Sequence, residues 1–269
     1  MARERGGADA MSVEYAPRGL VGVLTPQANT TVEPEFGILW PAGVAMVNAR
    51  LTSPKSSMVD RLLDYLGSLD VAVAQFANAP IGAVAFACTG ASYFAGPAEE
   101  DALVARIEDA RGVPVITAAR AVRDAFAVLG ARDVGLVSPY PPDLTEASAR
   151  YWTARGFRVA RVAGAELQGG AFHPIYAMAG ATAEKALTAL DPAGLDAVVL
   201  LGTGMPTLRP ILAHPQVGRA PVLSCMLALA WRTTLALEGR TPDAASLLHW
   251  ISAAEWGPRY RDRQRLPAA

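Results

Sequence analysis

Short apolar runs alternate with longer amphipathic ones along most of the chain. Residues 19–24 and 44–51 have the length and the Val and Leu content of buried strands. Between them, the polar segment from Thr25 to Thr31 reads as a turn whose Thr and Asn side chains can cap a following helix. Over 58–77, Leu62, Leu63, Leu66, Leu69, Val73 and Phe76 recur at helical spacing, and 81–87 is a third strand. A charged amphipathic helix over 98–111, a short strand over 113–116 and a helix over 118–129 complete the set. Strands alternating with helices predict an α/β fold with a parallel sheet and crossover helices.

The pattern then restarts in its residues as well as its periodicity. Val21-Gly22-Val23-Leu24-Thr25-Pro26 is echoed by Val134-Gly135-Leu136-Val137-Ser138-Pro139. Ala83-Val84 with Cys88-Thr89-Gly90 is echoed by Ala197-Val198 with Gly202-Thr203-Gly204, and Pro114-Val115-Ile116-Thr117 by Pro221-Val222-Leu223-Ser224, at offsets of 113, 114 and 107. A duplicated βα unit predicts two pseudo-symmetric halves, each a mainly parallel four-stranded sheet flanked by helices, with a ligand cleft where the strand C-terminal ends meet. The expected division is a tail over 1–18, halves over 19–130 and 131–240, and a C-terminal extension over 241–269. Helices near 114–130 and 221–239 are candidates to swap between halves.

Composition narrows the function classes. A net charge of −1 without a basic run argues against nucleic acid and anionic membrane as partners, which leaves small molecules. The longest apolar region, 71–87, is interrupted by Gln75, Asn78 and Pro80, so no membrane span is expected. Two cysteines and no apolar targeting core near the N-terminus are expected of a soluble, cytoplasmic protein with free thiols. His173, His214 and His249 are too scattered for a metal motif. The segment 202–207 follows a strand as a dinucleotide loop does, but Thr207 stands where the third glycine belongs and Pro206 intervenes.

The chemistry concentrates after the third strand, where Cys88 enters a small-polar loop leading toward a helix. Backbone N–H groups and the positive helix end there are expected to favour thiolate, making Cys88 the candidate reactive atom. The repeat puts Gly202 at the matching place, and its lack of a side chain is expected to free the volume a thiol would fill. Cys225 aligns with Ala118 at a helix start and is read as structural or peripheral. Phe36, Trp40 and Phe172 are expected to bring apolar surface from the loops over 32–40 and 169–176.

The segment from Leu24 to Glu35, then Cys88-Thr89-Gly90-Ala91-Ser92, Ser138-Pro139-Tyr140 and Met205-Pro206-Thr207-Leu208, resembles the maleate cis-trans isomerase and arylmalonate decarboxylase branch of the Asp/Glu racemase superfamily. The resemblance runs from about 19 to 239, and the Asn-Thr-Thr-x-Glu piece looks more like the isomerases. It implies a cofactor-independent enzyme, a small carboxylate or dicarboxylate substrate and a homo-oligomer, a dimer. Carried over residue by residue, Asn29 and Tyr140 grip substrate carboxylates and Cys88 adds to the double bond. Thr89, Ser92, Thr203 and Gly204 are the candidate donors to the developing enediolate, Gly202 is expected to border the substrate with them, and Pro26 and Met205 are further candidates beside them. The second isomerase cysteine falls on Gly202, and glycine at 169 or 170 replaces an isomerase asparagine, leaving His173 as a candidate to reach the cleft. The decarboxylase also uses one cysteine but in the opposite half, so a decarboxylase or racemase working from the other face is an alternative. A non-catalytic dicarboxylate-binding module is another.

Overall fold

In a computed structural model, residues 13–165 and 174–265 are described. The first sheet is formed by β1 (Gly19–Pro26), β2 (Val44–Leu51), β3 (Ala83–Phe86) and β4 (Val115–Thr117), all parallel, in the order β2-β1-β3-β4. The second contains β5 (Asp133–Ser138), β6 (Arg158–Gly164), β7 (Ala197–Leu200) and β9 (Ala220–Ser224), also parallel. The two-residue β8 (Gln216–Val217) adds an antiparallel edge strand to β9, which the four-strand expectation lacked.

The duplication holds at the level of register. Val21 pairs with Ala83, and their counterparts Val134 and Ala197 pair with each other. Val84 pairs with Val115 as Val198 pairs with Val222. A one-residue slip would turn every side chain to the opposite face, so matched registers place the same positions toward the same layers in both halves. The central strands β3 and β7 are buried along their whole length, as continuous apolar runs in a two-sided parallel sheet must be.

The helices are α1 (Val32–Leu39), α2 (Met58–Gly67), α3 (Leu69–Ala74), α4 (Thr89–Ala95), α5 (Pro97–Arg111), α6 (Ala118–Val128), α7 (Pro142–Ala154), α8 (Gly180–Ala189), α9 (Leu208–Ala213), α10 (Cys225–Leu237), α11 (Ala244–Ile251) and α12 (Trp256–Gln264). The single helix expected over 58–77 is two, α2 and α3, broken at Ser68, whose hydroxyl donates to the Asp64 carbonyl. Such back-bonding competes with the helical ladder. Matched caps start α6 and α10: Thr117 Oγ1 accepts the Arg120 N–H at 3.0 Å and Ser224 Oγ accepts the Leu227 N–H at 3.1 Å.

Both of these helices reach the other half. Phe126 of α6 packs edge-on against Trp152 and Phe157. On α10, Thr233 receives the Trp40 indole N–H from the end of α1. Arg155, the C-cap of α7, pairs with Glu100 and Asp101 on α5, and the buried Glu100 also accepts hydrogen bonds from Thr117 and Tyr151. These ties hold the two sets of strand ends together around one cleft. Among the described residues no helix is long and apolar enough to cross a membrane.

Candidate active site

The loops after β1, β3 and β7 are stitched to one another by small polar side chains. Asn29 Oδ1 accepts the N–H groups of Thr31 and Val32 at the start of α1, at 2.8 and 3.1 Å, while its Nδ2 donates to the Thr203 carbonyl at 3.2 Å. Thr31 Oγ1 donates to the Gly204 carbonyl at 2.7 Å, and Thr203 Oγ1 to the Ala87 carbonyl at 2.7 Å. Arg50 on β2 braces the first loop from outside: it donates to the carbonyls of Pro26 and Asn29 and pairs with Glu33. Buried polar groups without such partners would cost more than the bonds contribute, so the crossing loops specify one geometry.

Above this floor lies a cleft of about 290 Å³. Its polar lining is Asn29, Cys88, Thr89, Tyr140, Tyr176 and Thr203 with the backbone of Gly90 and Gly204, and Pro26 also lines it. Met58, Leu62, Leu144 and Ile175, with Pro139, Pro141 and Pro174, form an apolar wall, and none of the described lining residues is charged. This wall replaces the one expected from the sequence. Residues 32–39 are a helix rather than a loop, and Phe36 and Trp40 stack on each other in the core at 4.0 Å. Phe172, like His173, lies outside the described residues.

Cys88 is 4% exposed and opens α4. The expected thiolate is not its resting form. Burial pushes the thiol up to about 12, and the one opposing influence is the Ala91 backbone N–H. Desolvation outweighs the helix start because α4 is a single short helix and the cleft around the sulfur contains no cation. Cys88 therefore rests as a protonated thiol at neutral pH.

Opposite it, the repeat equivalence places Gly202, but not as a vacancy. Gly202 has φ +86°, whereas Cys88 has φ −146°, so the backbones differ where the sequences align. A Cβ on Gly202 would sit 3.2 Å from each of Ile175 Cδ1, Pro139 Cγ and the Tyr140 hydroxyl. The volume expected for a second thiol is closed off by Ile175, Pro139 and Tyr140 together. That tyrosine hydroxyl is 2.7 Å from Thr89 Oγ1, and burial raises its pKa well above the ordinary phenol value.

Of the other sequence candidates, Ser92 and Met205 are buried but do not line the cleft, and the Ser92 hydroxyl has no hydrogen-bond partner among the described residues. Sequence reasoning missed Tyr176, whose ring packs on Gly204 so closely that a Cβ there would lie 2.7 Å from Cε1. The glycine was the available signal, since close approach of a ring to backbone requires it. Arg50 and the apolar wall gave no signal that separates them from ordinary surface and core positions.

The arylmalonate decarboxylase family model matches residues 21–248. The chain belongs to that family. The chain is also 28% identical over 251 residues to the maleate isomerase of Alcaligenes faecalis, covering 86% of this chain and 96% of the relative. The structure is similar to the Nocardia farcinica maleate cis-trans isomerase, a cysteine-to-serine mutant with a covalently bound succinylcysteine intermediate. That likeness has a TM-score of 0.74 at 25% identity, over 82% of this chain and 93% of that one. It also shares its fold with a liganded arylmalonate decarboxylase bearing a glycine-to-cysteine and a cysteine-to-serine substitution, with a TM-score of 0.71 at 21% identity over 83% and 94% of the two chains.

Proposed function

We propose that this protein is a cofactor-independent enzyme that acts at the carbon next to a carboxylate, a maleate cis-trans isomerase-like isomerase with Cys88 as its reactive group. The observation that carries the reading is the buried Cys88 thiol at the floor of a cleft whose other polar side chains, Asn29, Thr89, Tyr140, Tyr176 and Thr203, are uncharged, with Asn29 and the Thr89–Tyr140 pair as donors. Neutral donors fixed by loop-to-loop hydrogen bonds suit an enediolate, in which charge develops on a carboxylate during the reaction, because they need no reorganisation when it forms.

A single thiol can carry out the isomerisation. The S–H bond breaks, sulfur bonds to one alkene carbon, and the π pair moves to the neighbouring carbon and its carboxylate and takes up the thiol proton. The former double bond is now single and rotates. Reversal restores S–H and the alkene in the trans form, with no net consumption of protons. The covalent succinylcysteine in the Nocardia relative supports a bond of this type.

A second reading is favoured by the apolar wall and by the protonated thiol. With an aryl or alkyl malonate, loss of carbon dioxide leaves the bonding pair on the remaining carbon as an enediolate, Cys88 gives that carbon its proton, and solvent reprotonates the sulfur. Small carboxylates as substrates, a cytoplasmic location and a dimeric assembly complete the reading.

Proton NMR of the enzyme with maleate, phenylmalonate and a 2-arylpropionate in deuterated water separates the reactions. Fumarate signals from maleate are expected for the isomerase, loss of carbon dioxide with one deuteron incorporated for the decarboxylase, and exchange without net loss for a racemase. No change in any of the three substrates would overturn the enzymatic reading in favour of a binding module.

A further inference from the structure

The loop between β7 and α9 supplies Thr203 and Gly204 to the cleft. Residues 203–206 make no backbone–backbone hydrogen bond among the described residues, so no ladder of their own half fixes them. Side chains of the first half hold them instead. Asn29 and Thr31 donate to the carbonyls of Thr203 and Gly204, and one turn beyond Thr31 on α1, Glu35 accepts the Thr207 N–H at 2.6 Å. Glu35 Oε2 also lies 3.2 Å from Thr207 Oγ1, which donates at 2.9 Å to Ser224 Oγ, the cap of α10. The Glu35 side chain is buried behind the loop, where it borders a separate cavity of about 350 Å³ and does not line the cleft.

We propose that Glu35 is a positioning residue that pins the far end of this loop to α1 and so holds Thr203 and Gly204 at the floor of the cleft. Thr31 and Glu35 are joined by the first turn of α1, the Glu35 N–H donating to the Thr31 carbonyl at 2.9 Å, so their side chains form a rigid pair of anchors. Their targets, Gly204 and Thr207, lie at the two ends of a short segment. One anchor would leave that segment free to pivot; two fix its direction as well as its place. Met205 between them is fully buried, but apolar burial is non-directional, and Pro206 has no N–H to offer a third tie. The same loop reaches the reactive group: Thr203 Oγ1 donates at 2.7 Å to the carbonyl of Ala87, the residue before Cys88. Releasing the Glu35 anchor therefore loosens the wall beside the Cys88 sulfur without touching either sheet.

The inference rests on the cleft being the active site, and thiol labelling tests it without a substrate. Iodoacetamide alkylation of the full chain under native conditions is followed separately at Cys88 and Cys225 by mass spectrometry. Cys225 is fully buried and does not line the cleft, so it reports wider unfolding only. Glu35→Leu is expected to raise the Cys88 rate about tenfold and leave Cys225 unchanged, whereas Glu35→Gln stays within about twofold of the wild type, because its carbonyl accepts the Thr207 N–H and its amide faces Thr207 Oγ1. The KM for maleate is expected to rise about fivefold in Glu35→Leu and to return in Glu35→Gln. Unchanged Cys88 labelling in Glu35→Leu, equal rises at both thiols, or no rescue by glutamine would overturn the positioning role, whatever the substrate. The expected labelling in a protein that neither binds nor converts maleate would keep the loop anchor and overturn the isomerase reading instead. If thermal melts show that Glu35→Leu does not fold, Glu35→Asp, which withdraws the carboxyl by one methylene, takes its place, and wild-type labelling in that variant would overturn the role.

Discussion

The ends of β3 and β7 occupy equivalent places in two sheets with matching registers, followed by strands whose last residues cap α6 and α10 in the same way. At one end stands Cys88 with φ −146°, at the other Gly202 with φ +86°. The contrast separates what duplication preserves from what it does not. Strand pairing and buried apolar runs are set by long-range register and survive in both halves. The chemistry depends on single side chains and one backbone torsion, and it has become one-sided. In place of a second thiol the second half supplies Tyr140, whose hydroxyl reaches the space beside Gly202 from the end of β5.

The largest effect should come from removing the asymmetric group itself. Cys88→Ala is expected to lower turnover about a thousandfold or more while costing only ~1 kcal/mol of stability, since one small buried atom is lost. Retention of more than about a tenth of the wild-type rate in a steady-state assay would mean that the halves do not differ in the way described. Because the thiol rests protonated, iodoacetamide is expected to alkylate Cys88 slowly near neutral pH, in contrast to the fast labelling that a thiolate would give.

A second asymmetry lies where the halves join. Glu35 is buried and accepts the Thr207 N–H at 2.6 Å, and at the 113-residue offset its counterpart is Ser148, which does not titrate. Burial raises the Glu35 carboxyl to about 7, against the opposing hydrogen bonds from Thr207 and Leu208. Between about 4.5 and 7 the native state therefore holds a proton that the unfolded chain has released, so stability falls as pH rises through that window, by about 3 kcal/mol in total. Glu35→Gln should remove this decline, so that wild type and variant melt alike near pH 5 and the variant melts higher near pH 8. Asp101, Asp191, Asp196 and Asp243, all lowered, act in the opposite sense but below the ordinary Asp value of 3.8, outside the window. Parallel melting curves for the two proteins from pH 5 to 8 would show that Glu35 is ionised throughout.

The layers and the repeat were legible from strand periodicity, and Cys88 from its place at a strand end; Pro26, Asn29, Thr89, Tyr140, Thr203 and Gly204, which also line the cleft, came with the family resemblance. The missed features are those that two distant segments create together. Met58 and Leu62 sit one turn apart on α2 and read as core; only the fold shows that this face borders a cleft shared with Leu144 and Ile175. The thiolate expectation failed because desolvation depends on everything packed around Cys88, which local sequence does not display. Gly202 was aligned correctly, yet its torsion, and the side chains that close the space beside it, could not be read from a one-letter match. Cys225, read as structural or peripheral, opens α10 and is fully buried there, and it does not line the cleft.

A smaller effect is expected from the group that stands in for the second thiol. Tyr140→Phe removes one hydrogen bond to a charged carboxylate, worth ~1.5–3 kcal/mol, and should raise KM about tenfold to a hundredfold with a smaller change in kcat. An unchanged KM would remove Tyr140 from the comparison.

The smallest and most direct test acts on Gly202. If the two halves differed only by a missing side chain, Gly202→Cys would restore a thiol on the other face, and proton exchange at the substrate carbon would rise relative to net turnover, since an acid and a base would then flank it. The geometry argues for a different outcome. A non-glycine residue at φ +86° is strained by about 1 kcal/mol or more, and the new Cβ would press on Pro139, Ile175 and the Tyr140 hydroxyl at 3.2 Å. The variant should melt a few degrees lower and bind dicarboxylates a few-fold more weakly, because Tyr140 must yield, with no rise in the ratio of deuterium exchange to turnover. Gly202→Ala should reproduce both changes without a thiol, which assigns them to the backbone and the displaced tyrosine. A rise in the exchange ratio for the cysteine variant alone would mean that the second face accepts a thiol after all, and that the difference between the halves is one side chain rather than a rebuilt wall.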